Sequence, residues 1–326
     1  MGFITIVGVM YLYNYFTQPH SPNSAFVSYT FKNRIFMIKH LLLVLFFSLC
    51  IETVLAQNDN FSFVFMTDMH LRPDPVVENA FNKVVQRIEK IKPDFVLSGG
   101  DQIFDIMRGN RAKGDSLFTY YITQTRRFKV PVYNCVGNHD LFGIYEESPE
   151  NSSHPDYKLG MFKRYLGNPY YSFDHKGWHF IVLNVLDVDN YKYIGRVDEG
   201  QLKWLKSDLS TVKPETPVVV VAHIPLVTTY HDLYPPQNGY LSQPPVANRN
   251  EVLTLFKDHN LKFVLQGHIH WFEDLNIAGK THYITGGSIA GRPSWRGNTH
   301  GSRGFLRFNV SGSEATYEFI SYEDKD

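Results

Sequence analysis

The feature that most constrains this 326-residue sequence is a recurring couplet, in which a short run of β-branched and aromatic residues passes directly into a cluster of polar ones. Residues 61–66 (FSFVFM) run into Thr67, Asp68 and His70, residues 94–97 run into Gly99, Gly100 and Asp101, and residues 130–133 lead towards Gly137, Asn138, His139 and Asp140. Further apolar runs occupy 178–185, 217–222, 261–265, 282–285, 305–310 and 315–320. Runs of this length bounded by turn-forming residues read as strands. Between them, Val77, Phe81, Val84, Val85 and Ile88 fall on one helical face within 76–91, and Pro93 stands beyond its end. The same spacing predicts helices over 117–128, 157–166, 199–209 and 250–259. Alternation of strand and helix early, with denser strand late, predicts an α/β fold of packed sheets with helices outside. Ligands of open α/β sheets gather beyond the carboxyl ends of strands, which is where each polar cluster falls. The long segments 143–155 and 228–247 read as loops, the second rich in Tyr and Pro, and loops of that length predict the walls of a substrate cleft.

Composition supports a large core, with 43% hydrophobic and 15% aromatic residues. Equal counts of Lys+Arg and Asp+Glu, 32 each, leave no strong nucleic-acid signal. Residues 37–56 have the pattern of a signal peptide: Lys39 and His40 precede an apolar run over 41–49, and Val54, Leu55 and Ala56 suit cleavage after Ala56. That run is shorter than the ~20 residues needed to span a bilayer, so no stable membrane span is expected in the mature chain. The expectation is a secreted or periplasmic protein with one domain over 57–326. Met37 is itself a natural start, which makes residues 1–36 an uncertain extension; if translated, their apolar opening predicts a membrane-anchored form. Of the two cysteines, Cys50 lies within the signal segment, so a mature chain keeps only Cys135 and no internal disulfide.

The chemistry rests on five polar blocks in order: Asp68-x-His70, Gly100-Asp101, Gly137-Asn138-His139-Asp140, His223, and Gly267-His268-x-His270. Carboxylate, imidazole and amide oxygen together suit Mn, Fe or Zn, and the adjacent glycines let backbone approach a metal closely. This ordered set resembles the calcineurin-like metallophosphoesterase family. The resemblance implies a four-layer α-β-β-α sandwich, with Asp68, His70 and His270 on one metal ion, Asn138, His223 and His268 on a second, and Asp101 bridging them. It also implies hydrolysis of a phosphodiester or phosphomonoester, a small-molecule substrate, by a hydroxide shared between two ions about 3.5–4 Å apart. His139, beside a ligand but not one itself, is then the general acid. The Asp68-x-His70 opening is nearest in style to the cyclic-nucleotide-phosphodiesterase-like branch, since purple acid phosphatases lack that His. Many relatives carry an Asp three residues after the bridging one; here Phe104 stands there, and Asp105 follows. Asp140 reads as a turn-forming carboxylate. Arg292, Trp295 and Arg296, in a glycine-rich stretch after a strand, are candidates to wrap a substrate phosphate and stack on its leaving group. The alternative from a different class is a non-catalytic metal-binding scaffold, which loss of a ligand or of His139 would betray; none is missing.

Overall fold

The computed structural model describes residues 38–40, 60–233, 245–289 and 303–323. Met1–Gln57 and Asn58–Asp326 form separate units. Of the first, one helical turn at 38–40 is described, so the expected signal segment falls almost wholly outside the described residues. Arg292, Trp295 and Arg296 also lie outside them.

In the second unit, β1 (Phe61–Met66), α1 (Pro75–Ile91), β2 (Phe95–Ser98), α2 (Arg111–Thr125) and β3 (Val132–Asn134) form two successive β-α-β turns. After α3 (Gly160–Leu166) come β4 (Tyr171–His175), β5 (Trp178–Val182), the hairpin β6 (Leu186–Asp189) and β7 (Lys192–Gly195), α4 (Glu199–Leu209) and β8 (Pro217–Val221). The chain closes with α5 (Tyr230–Leu233), α6 (Arg249–Thr254), β9 (Asn260–Gln266), β10 (Glu273–Ile277), β11 (Thr281–Thr285), β12 (Gly304–Ser311) and β13 (Glu314–Ser321). One mixed sheet has the order β13-β12-β1-β2-β3, a second β10-β11-β9-β8-β5-β4. The centres of both are parallel, β1 with β2 and β3, and β5 with β8, β9 and β11.

Period-two alternation explains why the sheets stack. Phe61, Phe63 and Phe65 of β1, with Leu306, Phe308 and Val310 of β12, share one buried layer with Trp178, Phe180 and Val182 of β5 and with Val219 and Val221 of β8. At its centre Phe63 is stacked on Phe308 (4.5 Å, 3°) and Phe95 (5.3 Å, 4°), while Phe180 of the opposite sheet meets it edge-on at 5.5 Å. Cys135 is buried in the same layer. The intervening residues Val64, Met66, Val218, Val220 and Val264 join the apolar faces of the helices, including Val77, Phe81, Val84 and Ile88 of α1 and Leu205 and Leu209 of α4. The result is the expected α-β-β-α arrangement. Helix α1 starts where Asp74 accepts from Val76 N (2.9 Å) and Val77 N (3.3 Å), with Pro75 following, and ends at Lys92 in a left-handed conformation.

Several boundaries differ from those read in the sequence. The helix expected over 117–128 begins earlier, capped by Asn110, and its last residues tighten into a 3-10 turn, Arg126–Phe128. The helix expected over 157–166 starts at Gly160, and that over 250–259 is regular only through Thr254. Four strands went unread. The β6–β7 hairpin turns on Asn190 (φ 44°) and Tyr191 (φ 58°), the two-residue turn that usually advertises itself with a glycine. Strand β10 is polar and lies on an edge, and β4 pairs on one side only.

Candidate metal centre

The loops after β1 and β2 are laced together, and that lacing delivers the first ligands. Asp68 N donates to Gly100 O at 3.0 Å, His70 N to Asp101 O at 2.9 Å, and Leu71 N to Gln102 O at 2.9 Å. To turn both carboxylates and the imidazole inward, Asp68 (φ 52°), His70 (φ 44°) and Asp101 (φ 52°) take left-handed backbone, as do His268 (φ 74°) and His270 (φ 56°). Each such non-glycine residue costs about 1–3 kcal/mol, a strain that collects at functional sites where surrounding bonds enforce it. Gly137 permits the third loop to approach: a Cβ there would lie 1.9 Å from Asp101 N. Two residues on, His139 donates its backbone N–H to Asp101 Oδ1 at 2.8 Å.

Two groups of donors converge. Asp68 Oδ1 and His70 Nε2 both lie 3.1 Å from His270 Nε2. In the other group Asn138 Oδ1 lies 3.1 Å from His223 Nε2 and 2.8 Å from His268 Nδ1. Asp101 faces both, with Oδ1 3.3 Å from His223 Nε2 and Oδ2 3.7 Å from His70 Nε2. Asp68, His70 and His270 offer ligand atoms within 4.8 Å of one another, and so do Asp68, Asp101 and His223. Asp68, His70, Asp101, Asn138 and His223 are buried.

The charges fit a cation at each group. His223 Nδ1 must donate to the carbonyl of Gly99 (2.8 Å), which leaves Nε2 facing the oxygens of Asn138 and Asp101, acceptors all. Burial pulls its pKa down, but Asp101 and Asp68 outweigh that and push it up to about 9, so in the protein alone the pocket favours a proton where a metal would sit. Burial pushes the Asp68 and Asp101 carboxyls up, yet the imidazoles around them, His270 and His223 foremost, hold both below the usual carboxylate range. His70 is driven well below the ordinary imidazole range by burial and by His139, keeping its lone pair available. Neutral imidazoles and ionised carboxylates are the protonation states a transition metal requires.

All seven residues singled out as ligands in the sequence are therefore brought together, and His139 sits beside them, its Nε2 4.0 Å from Asp101 Oδ2 and its ring edge-on to His70 at 4.7 Å. Asp140 does hold a turn: its carboxylate accepts from Gly137 N (2.8 Å) and Ile103 N (3.3 Å), stapling the His139 loop to the loop after β2. Burial and the charge of Asp101 push its pKa well up. Asp105 looks away, accepting from Met107 N at 3.2 Å, while Phe104 lies against His139 at 6.1 Å. Sequence reasoning missed Gln266. Its side chain accepts from Leu226 N (2.7 Å) and donates to Thr285 Oγ1 (3.2 Å), tying the strand end that bears His268 to the loop after His223. A polar residue closing an apolar run, just before Gly267, was the available signal. His179 and His282, outside any motif, have structural partners: Asp174 and Asp208 for the first, Asp274 and Asn276 for the second.

Comparison with known proteins bears on the fold and the family. A purple acid phosphatase, number 23 of Arabidopsis thaliana, is 31% identical over 156 residues, which cover 45% of this chain and 30% of that protein. Among solved structures, a dimetal phosphatase from Danio rerio superposes with a TM-score of 0.57 at 16% identity, covering 80% of this chain and 96% of that one. The purple acid phosphatase PPD1 of yellow lupin seeds gives 0.58 at 16%, over 82% and 52%. GAP50, the anchor in the inner membrane complex of Plasmodium, gives 0.53 at 17%, over 82% and 86%. At such identities these likenesses concern the fold. The family model for calcineurin-like phosphoesterases matches residues 61–272, which span every one of the five polar blocks, and the chain belongs to that family.

Proposed function

We propose that this chain hydrolyses phosphate esters with two transition-metal ions drawn from Mn, Fe and Zn. Asp68, His70 and His270 hold one, Asn138, His223 and His268 hold the other, and Asp101 contacts both. The observation that carries this reading is Asp101, a buried carboxylate whose two oxygens each face a different set of imidazoles. When bound, such a pair of ions supplies Lewis acidity towards the phosphoryl oxygens and makes water acidic enough to attack near neutral pH.

His139 supplies what that pair does not, a proton for the departing oxygen. Its backbone N–H is anchored on Asp101, and its ring, largely buried at 7% exposure, stands beside Asp101 Oδ2 at the margin of the cluster. Asp140 keeps that loop in register. The Asp68-x-His70 opening favours diesters, whereas the Arabidopsis relative is named a phosphatase. GAP50 is described as an anchor, which gives a non-catalytic reading its precedent; the intact donor set and His139 favour catalysis here. The catalytic domain is assigned to 57–326, downstream of a cleaved signal at 37–56, and the mature protein to a secreted or periplasmic location. Among the described residues no helix is long and apolar enough to cross a membrane.

The test is to strip the protein and reload it with Mn, Zn or Fe, then assay bis-p-nitrophenyl phosphate against p-nitrophenyl phosphate. Faster turnover of the first identifies a diesterase, and no turnover of either with any metal makes the chain a scaffold. His139→Ala is expected to keep both metals while turnover of esters with poor leaving groups falls roughly 10²–10⁴-fold. Loss of metal in step with activity would remove His139 from the acid role.

A further inference from the structure

Arg72 lies two residues beyond His70, and the architecture of the loops puts it beside the site. The parallel bridge between Leu71 and Ile103, with Phe104 N donating to Leu71 O at 3.2 Å, runs the chain after His70 alongside the chain after Asp101. Arg72 and Phe104 thereby become neighbours. The Arg72 guanidinium carbon stands 4.3 Å from the Phe104 ring centroid, and the same ring lies 6.1 Å from the imidazole of His139 at 29°. The guanidinium is thus within about 10 Å of the proposed proton donor. Lys113 brings a second cation, 6.0 Å from the Phe104 centroid, with its Nζ donating to Asp105 O at 2.7 Å.

The guanidinium is only partly used by the protein. Its Nε lies 3.6 Å from Asp74 Oδ2, but Nη1 is buried and has no hydrogen-bond partner among the described residues. A buried donor left unmade is costly, and one beside a candidate active site calls for an explanation in catalysis or binding. The flat guanidinium fork matches carboxylate and phosphate oxygens. The ring beneath it adds a cation–π contact that holds its plane.

Location decides which part of the substrate it meets. The transferred phosphoryl group belongs at the Asp101 cluster, and His139 marks the side on which the leaving oxygen departs. Arg72 and His139 flank the same Phe104 ring, which leaves the guanidinium within reach of a substituent on that oxygen. We propose that Arg72, backed by Phe104, binds an anionic substituent on the leaving group. The preferred substrates are then phosphate esters whose leaving group carries its own carboxylate or phosphate. This rests on the function proposed above, through the role given to His139.

Two pairs of probes test it in the metal-loaded protein: phenyl phosphate against 4-carboxyphenyl phosphate for turnover, and phenylphosphonate against 4-phosphonobenzoate for calorimetric binding. One charge-assisted hydrogen bond predicts a preference of about tenfold or more for the carboxylated member of each pair. In Arg72→Gln that preference should vanish through KM for the carboxylated member, with metal content retained, and Arg72→Lys should restore part of it. Equal losses on both members of a pair, or a wild-type protein indifferent to the carboxylate, overturn the assignment while hydrolysis stands. A binding preference that depends on Arg72 without turnover of either ester keeps Arg72 as an anion site and overturns the hydrolytic reading instead.

Discussion

Gly137 is the position where a single carbon atom should separate stability from chemistry. Its φ is −108°, a conformation open to any L-residue, so Gly137→Ala carries no dihedral penalty. What it meets is backbone: the added Cβ would stand 1.9 Å from Asp101 N, 2.2 Å from Asp101 Oδ1 and 2.7 Å from Asp101 Cα. Real Cβ atoms essentially never come within 3.0 Å, so the loops after β2 and β3 must part by about 1.1 Å. Asp101 cannot swing aside, because its carboxylate receives His139 N and its carbonyl receives His70 N. Overpacking of this kind costs about 1–3 kcal/mol. A displacement near 1 Å at the carboxylate proposed to bridge the metals and at the loop bearing His139 should cost kcat on the order of 100-fold. The control is Gly177→Ala, where φ is +81° and nothing lies within 4 Å. That change should cost roughly 1–2 kcal/mol from left-handed backbone alone and leave activity intact. Urea denaturation, elemental analysis and turnover of p-nitrophenyl phosphate on both variants decide the matter. A Gly137→Ala protein with native metal content and native kcat would refute the claim that the two loops are held at contact distance.

Phe63→Ala should destabilise the domain by about 3–5 kcal/mol without altering metal stoichiometry in the folded fraction, since it empties the centre of the sandwich rather than the strand ends; chemical denaturation with metal analysis checks both halves. His179 carries a pH signature. Burial opposes its charge, but its bonds to Asp208 (2.9 Å) and Asp174 (2.7 Å) raise its pKa above 6.5, so its stabilisation is full below about pH 6.5 and fades as pH rises through the folded value. Burial likewise raises Asp208, but the bonds from His179 and Ser172 hold it below 3.8, so its share is present above that pH and lost on acidification. His179→Gln should therefore cost more at pH 5.5 than at pH 8.5, measured as the difference from wild type in urea; equal costs would mean that packing, not charge, governs the site.

Much of the fold was legible because burial imposes a period. Phe61, Phe63 and Phe65 on one face, with Val64 and Met66 on the other, announce a strand packed on both faces, and the stripe from Val77 to Ile88 announces α1 to within a residue. The β6–β7 hairpin escaped because Asn190 and Tyr191 take left-handed backbone without a glycine to signal it, and β10 because a polar edge strand has little apolar pattern. Ends of helices slipped where a local cap decided them, as Asn110 did for α2.

The candidate site residues were legible in the sequence through the resemblance of five ordered blocks to a known family and through their chemistry, since few side chains ligate a transition metal. What the sequence could not express was distance and direction. Left-handed backbone at Asp68, His70, Asp101, His268 and His270, the approach of Gly137 to Asp101, and the placement of Phe104 between Arg72 and His139 all arise from bonds between loops far apart in the chain. Those bonds exist only once two sheets have stacked and aligned their strand ends, which is why the motif blocks nominate candidate ligands while packing alone sets their geometry.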